Sequence, residues 1–187
     1  MFAFEINSSL EVLKNKKILL YPTDTVWGIG CDATSEEAVA NVFRIKQRSE
    51  SKSLIVLVDG IEMLKKYIPT ISNKIIDILN STLKPTTIIY NNPIGLAKNV
   101  VAADNTVAIR IVQNEFCKQL IKAFKKPIVS TSANISGMTT PKSFKEIDVA
   151  ILDSVDYIVN LHREEINTKS STILKIGDND ELIVLRK

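Results

Sequence analysis

The sequence has little of what metal, disulfide or membrane chemistry requires. Its 187 residues include two cysteines, Cys31 and Cys117, and one histidine, His162. The cysteines are far apart and have no His or Cys beside them at ligand spacing, so there is neither a zinc pattern nor a disulfide framework, and both are expected to be core thiols. A lone histidine excludes a multi-histidine metal site, and His162, beside Arg163 and Glu164, is expected at the surface. No stretch approaches the roughly 18 consecutive apolar residues of a membrane-spanning helix. Glu5 stands where a signal peptide would be basic, which predicts a cytoplasmic chain with no membrane partner. The net charge of +3 is too small to argue for nucleic acid on its own. Neither G-x-x-x-x-G-K-[ST] nor G-x-G-x-x-G occurs, so the commonest phosphate cradles are excluded. Internal repeats, low-complexity tracts and Gly/Ser linkers are missing too, and no domain boundary is placed.

What is present fits one domain over residues 1–187. Hydrophobic residues make up 45% and charged ones 24%, and this length buries roughly two thirds of the unfolded chain's surface. Strands are expected at Ile18 to Tyr21, Leu54 to Val58, Thr86 to Tyr90, Thr106 to Val112, Pro127 to Ser130, Tyr157 to Asn160, Thr172 to Ile176 and Leu182 to Leu185, where β-branched runs end at turn residues. The last two suggest a hairpin across Gly177 to Asp180. Helices are expected at Ser35 to Gln47, capped by Ser35, and around Glu62 to Tyr67, Ile71 to Leu79, Glu115 to Phe124 and Ser143 to Leu152. The alternation predicts an α/β (α+β) fold with a mixed sheet. Lys14, Lys16 and Lys17 form one basic cluster and Lys122, Lys125 and Lys126 another, both read as solvated helix ends.

Three segments carry chemistry. Tyr21 to Gly30 packs threonines, Asp24, Trp27 and two glycines into a turn after a strand; such residues either stabilise the turn itself or seat a ligand against bare backbone. Lys46 to Lys52 gathers Lys46, Arg48 and Lys52 at a helix end, either a plain basic C-terminus or a point charge and a bidentate fork for phosphate or carboxylate. Ser130 to Gly137 places four hydroxyls and an amide after a strand, where α/β sheets commonly bind ligands, although a Ser/Asn-rich turn reads the same way.

Together the segments resemble the YrdC/TsaC family of threonylcarbamoyl-AMP synthases, with its P-T-[DE]-T-x-[YW]-G, K-x-R and S-T-S-A-N-x-S-G patterns. Thr106 to Arg110 is similar to the family's T-V-A-[VI]-R strand, and Ser171-Thr172-Ile173 and Leu185-Arg186 to its closing elements. The resemblance implies a YrdC-like fold, a twisted mixed sheet flanked by helices around a large concave cleft. It implies condensation of L-threonine with bicarbonate and ATP to threonylcarbamoyl-AMP and pyrophosphate, for N6-threonylcarbamoyladenosine modification of tRNA completed by a separate threonylcarbamoyl transferase complex. Carried over by motif, Lys46, Arg48, Ser132 and Asn134 match the nucleotide- and phosphate-binding tetrad, with Lys46 and Arg48 in the catalytic role. Thr106 and Arg186 match further ATP-binding positions, and Thr25, Arg110 and Ser171 match positions around threonine. Mg²⁺ is expected on the ATP phosphates, with no dedicated metal ligands.

The sequence departs from the family pattern at Ser49, at Lys84-Pro85 and at Leu57, where many members carry histidine; Leu57 is the change expected to bear on amino-acid choice. The extra C-terminal domain of longer relatives is expected to be missing. A competing reading is an RNA-binding or ribosome-maturation protein that holds tRNA or double-stranded RNA in its basic cleft without turnover, though 6% aromatic residues and no RNP-type motif give it little specific support. A third is the carbamoyl-adenylate chemistry of hydrogenase maturation, disfavoured by the two isolated cysteines.

Overall fold

The sheet is built from alternation, and alternation decides which side chains meet. The computed structural model describes residues 1–49, 54–167, 170–177 and 181–187. In chain order the strands are β1 (Leu19–Tyr21), β2 (Gly28–Gly30), β3 (Ile55–Val58), β4 (Thr86–Asn91), β5 (Thr106–Ile111), β6 (Ile128–Ser132), β7 (Tyr157–Ile158), β8 (Thr172–Ile176) and β9 (Leu182–Arg186). They form one sheet in the order β7-β1-β2-β6-β3-β5-β4-β8-β9. The pairs β1/β7, β3/β5 and β4/β8 are parallel and the others antiparallel. Helices α1 (Phe2–Lys14), α2 (Glu36–Ile45), α3 (Ile61–Tyr67), α4 (Asn73–Ser81), α5 (Glu115–Phe124) and α6 (Val149–Leu152) flank it. Among the described residues no helix is long and apolar enough to cross a membrane.

Side chains alternate between the faces of a strand, and in-register partners share a face. Val56, Val58, Val107, Ile109, Ile88, Tyr90 and Val129 therefore fall on one face, all buried. The opposite face carries Leu57, Arg110 and Thr87 in one row and Ser130, Ile55, Ala108 and Ile89 in the next. A polar face inside a nine-stranded sheet needs something to meet, and this is the face that lines the cleft.

Most expected elements are present within one to three residues. Helix α1 was not legible. Phe2 meets Phe116 of α5 edge-on at 6.1 Å, and Glu5, only 3% exposed, accepts bonds from the Tyr157 hydroxyl and the Asn160 N–H. Glu5 thus anchors this helix to the β7 edge of the sheet. The basic ends behave as expected: Lys14 and Lys16 pair with Glu11 and Glu37, Lys125 is the C-cap of α5 and Lys126 pairs with Asp32. The helix expected over Ser143 to Leu152 is broken into a 3-10 turn, Phe144–Glu146, and the short α6. The break falls where the Asp148 carboxylate caps the Ala150 N–H instead of continuing a helix. Gly28–Gly30 is a strand, not part of a turn, and β6 extends the strand expected to end at Ser130 through Ser132. The proposed hairpin connects β8 and β9, closed by Gly177 N–H to Glu181 O; residues 178–180 of its turn lie outside the described residues.

Candidate active site

Helix α2 ends in a way that sorts its two cations. Ser35 caps its start by accepting from Ala38 N–H. At its end Gln47 adopts φ 48°, and the N–H groups of Gln47 and Arg48 return to Arg44 O and Phe43 O. This is a Schellman closure with glutamine in the left-handed position usually held by glycine. It sends Lys46 inward and carries the chain out through Arg48.

The Lys46 ammonium is buried, with the residue 1% exposed, and donates to the carbonyls of Ser132 at 2.5 Å and Asn134 at 2.6 Å. Ser136 N–H returns the link to Lys46 O. The Ser132 hydroxyl donates to the Asn134 side-chain oxygen at 2.5 Å, and the Asn134 amide ties down Ile135 O and Met138 O. The Ser130 to Gly137 segment is therefore wound around a lysine. Burial first, and the Arg48 charge second, push the Lys46 pKa down from 10.5 to about 8. Burial also lowers that of Arg48.

Beside this loop lies a cavity of about 470 Å³, reached by Thr25, Arg48, Arg110, Ser132, Ser171 and Arg186. Six of the nine predicted site residues thus line one space. Lys46 and Asn134 stand one layer behind Ser132. Thr106 shares the cleft face of β5 with Ala108 and Arg110, but its hydroxyl is spent on Asp104 at 2.7 Å and it does not line the cavity. Lys52 lies outside the described residues. A separate hollow of about 550 Å³ around Lys17, Arg44 and Ser154 contains none of the nine.

On the floor, Arg110 (side chain 3% exposed) meets Asp24 (7% exposed) at 3.0 Å. The contact is an unsaturated ion pair, because the same Asp24 Oδ1 and Arg110 Nε have no well-aligned hydrogen bond. Asp24 Oδ2 also accepts from Gln113 N–H. On the far wall Ser171 accepts from Thr87, and Arg186 grips the Ser171 carbonyl through Nε at 3.1 Å and Nη2 at 2.9 Å. Burial and then the Arg110 charge lower the Arg186 pKa. Arg186 therefore fixes the wall that carries Ser171 as well as facing the cavity.

Leu57 pairs in register with Arg110 and is fully buried, so an apolar side chain stands beside Arg110 on the same sheet face without itself lining the cavity. Sequence reasoning included Ser130 in the hydroxyl-rich loop without a role of its own and missed Thr140, Lys142 and Asn167 in the lining. Ser130 was legible, since it lies two residues before Ser132 on one strand face. Thr140, Lys142 and Asn167 come from irregular segments joined by Asn167 N–H to Lys142 O at 2.7 Å, which no local pattern reveals. His162 is exposed and contacts Glu165. Both cysteines are buried and free, with burial raising their thiol pKa values. Among the described residues no group of three His, Cys, Asp or Glu side chains could hold a metal ion.

The chain is similar to known proteins in both sequence and fold. A threonylcarbamoyl-AMP synthase of Psychromonas ingrahamii is 33% identical over 147 residues, 77% of each chain. A putative threonylcarbamoyl-AMP synthase of Methanocaldococcus jannaschii is 36% identical over 184 residues, 95% of this chain and 84% of that one. The structure of the H234A/Y235A variant of P. abyssi Sua5 superposes with a TM-score of 0.88 at 25% identity over 97% of this chain. The chain spans about half of that protein, 55% of its length. The Sua5/YciO/YrdC family model, described as telomere recombination, matches residues 11–187, and with those relatives it shows that the chain belongs to the Sua5/YciO/YrdC family.

Proposed function

We propose that the chain condenses L-threonine, bicarbonate and ATP into threonylcarbamoyl-AMP, releasing pyrophosphate. The observation that carries this reading is the pairing of two unlike subsites in one cavity. One wall presents Arg48 and Ser132 on a loop wound around Lys46; the other presents Thr25, Arg110 and Ser171. A nucleotide and an amino acid held at these walls would lie side by side, which removes most of the entropic barrier to their reaction. The carbamate oxygen of N-carboxylated threonine attacks the α-phosphorus and pyrophosphate departs, so negative charge builds on phosphoryl oxygens. Arg48 and the Ser132 hydroxyl face that charge across the cavity, and the Lys46 charge acts from behind the loop it braces, so the charge is offset without reorganisation. ATP is the substrate used by this family. Among the described residues the cavity lining contains no carboxylate, and in this reading Mg²⁺ enters on the ATP phosphates. The product is a reactive mixed anhydride, which requires a separate transferase to pass its acyl group to tRNA.

The test is pyrophosphate release by the purified chain. Release is expected only when ATP, threonine and bicarbonate are all supplied. Equal release without threonine would sink the reading, and steeply salt-dependent RNA binding without any release would favour the RNA-binding alternative. A panel of amino acids in the same assay measures what Leu57 contributes to substrate choice.

A further inference from the structure

We infer that Thr23, which does not touch the cavity, is a positioning residue that turns Thr25 into a pure hydrogen-bond acceptor toward the amino-acid substrate. The inference rests on the functional reading above and comes from counting protons in the turn between β1 and β2. A threonine hydroxyl has one proton and two lone pairs. Thr23 Oγ1 lies 2.7 Å from Val26 O, a carbonyl that can only accept, so the Thr23 proton is committed there. Its lone pairs face the Thr25 N–H at 3.0 Å and the Thr25 hydroxyl at 3.0 Å. With the Thr23 proton committed, the proton between the two hydroxyls must come from Thr25. Thr25 then has only lone pairs left to offer, and it lines the cavity while Thr23 does not.

Both hydroxyls are nearly buried, at 5% and 6% exposure, so water does not readily reshuffle this arrangement. The chain of bonds fixes what Thr25 reads: a donor group on the ligand, the α-amino N–H or the side-chain hydroxyl of the amino acid. Arg110, which also lines the cavity, can only donate. The one cavity therefore presents both an acceptor and a donor, the polarity that an amino acid's N–H or O–H and carboxylate require. A ligand offering an acceptor at Thr25 would face lone pairs, and that mismatch is what rejects it.

Thr23→Val keeps shape and volume but removes the committed acceptor, freeing the Thr25 proton to point into the cavity. The threonine KM is expected to rise about tenfold or more, with the ATP KM unchanged within about twofold. Thr23→Ser, which retains the hydroxyl, is expected to restore the wild-type value, and Thr23→Val combined with Thr25→Val to be no worse than Thr25→Val alone. If Thr23→Val melts early, Thr23→Ala carries the same comparison. A threonine KM within about twofold of wild type, equal impairment in Thr23→Ser, or additive effects in the double variant would overturn the inference. Wild-type protein without threonine-dependent release would instead overturn the functional reading, so the two failures are distinguishable.

Discussion

Lys46→Met is expected to lower threonine-dependent pyrophosphate release by about 10²-fold or more, the scale of displacing a preorganised donor such as the Ser132 hydroxyl from a developing oxyanion, while the protein remains folded. Two effects combine. The variant loses the cation nearest the Ser132 to Asn134 loop, and it releases the two carbonyls, Ser132 O and Asn134 O, that the ammonium holds at 2.5 and 2.6 Å. The second effect displaces the Ser132 hydroxyl that the first leaves without its neighbour. The pH dependence separates a charged Lys46 from a structural one. Its pKa in the folded protein is about 8, below the roughly 10.4 of an unfolded lysine. Such a group contributes its stability above the unfolded value and loses it as pH falls through about 8, because below that pH a charged ammonium is held out of water. The stability gap between wild type and Lys46→Met, from denaturant titrations, should move in favour of wild type between pH 8 and 10.4, by about 3 kcal/mol. The ATP KM of wild type should rise over the same window as the binding cation is lost. A gap that does not change with pH would show that the ammonium is well solvated, and the activity loss would then need another cause.

The fold was legible wherever one residue pattern dominated. The β-branched runs at Leu54 to Val58 and Thr106 to Val112 and the amphipathic stretch at Glu115 to Phe124 match β3, β5 and α5 within one or two residues. The pattern failed where local signals conflicted. Phe2–Lys14 mixes Asn7, Ser8 and Ser9 into its helix, and its stability comes from α5 and the Glu5 bonds across the sheet, which local sequence does not carry. The site was legible in its residue types but not in its depth. Lys46 and Asn134, expected to serve the phosphates, brace the loop that carries Ser132 and are not in the cavity lining. Arg186 holds the Ser171 wall. A motif lists which residues a site needs, and the distinction between touching a ligand and aiming its neighbour emerges only from hydrogen-bond partners.

Gly30→Ala is expected to destabilise the protein strongly, at a strand that reads from the sequence as part of a turn. Glycine weakens a strand, so Trp27-Gly28-Ile29-Gly30 looks like a ligand-binding turn. The structure gives its two glycines different work. A Cβ at Gly28 would stand 3.0 Å from the Ser130 hydroxyl, so bare backbone there keeps the cleft open beside that residue. A Cβ at Gly30 would lie 2.2 Å from the Val129 carbonyl and 2.9 Å from the Tyr21 hydroxyl, and the Tyr21 hydroxyl is itself bonded to Val129 O at 3.0 Å. Neither backbone nor buried ring can swing away, so the methyl must part β1, β2 and β6 and break the Tyr21 bond. Overpacking costs about 1–3 kcal/mol and an orphaned buried polar group about as much again, together a large share of a typical 5–15 kcal/mol total. A Tm lower by roughly 10 °C or more is expected. Gly60→Ala, whose Cβ meets nothing within 4 Å, is the control, expected within about 1 kcal/mol of wild type. If both variants melt with wild type, the three strands do not pack as closely as described; if only Gly30→Ala collapses, Gly30 serves the packing of the sheet, while Gly28 is the glycine that lines the cavity.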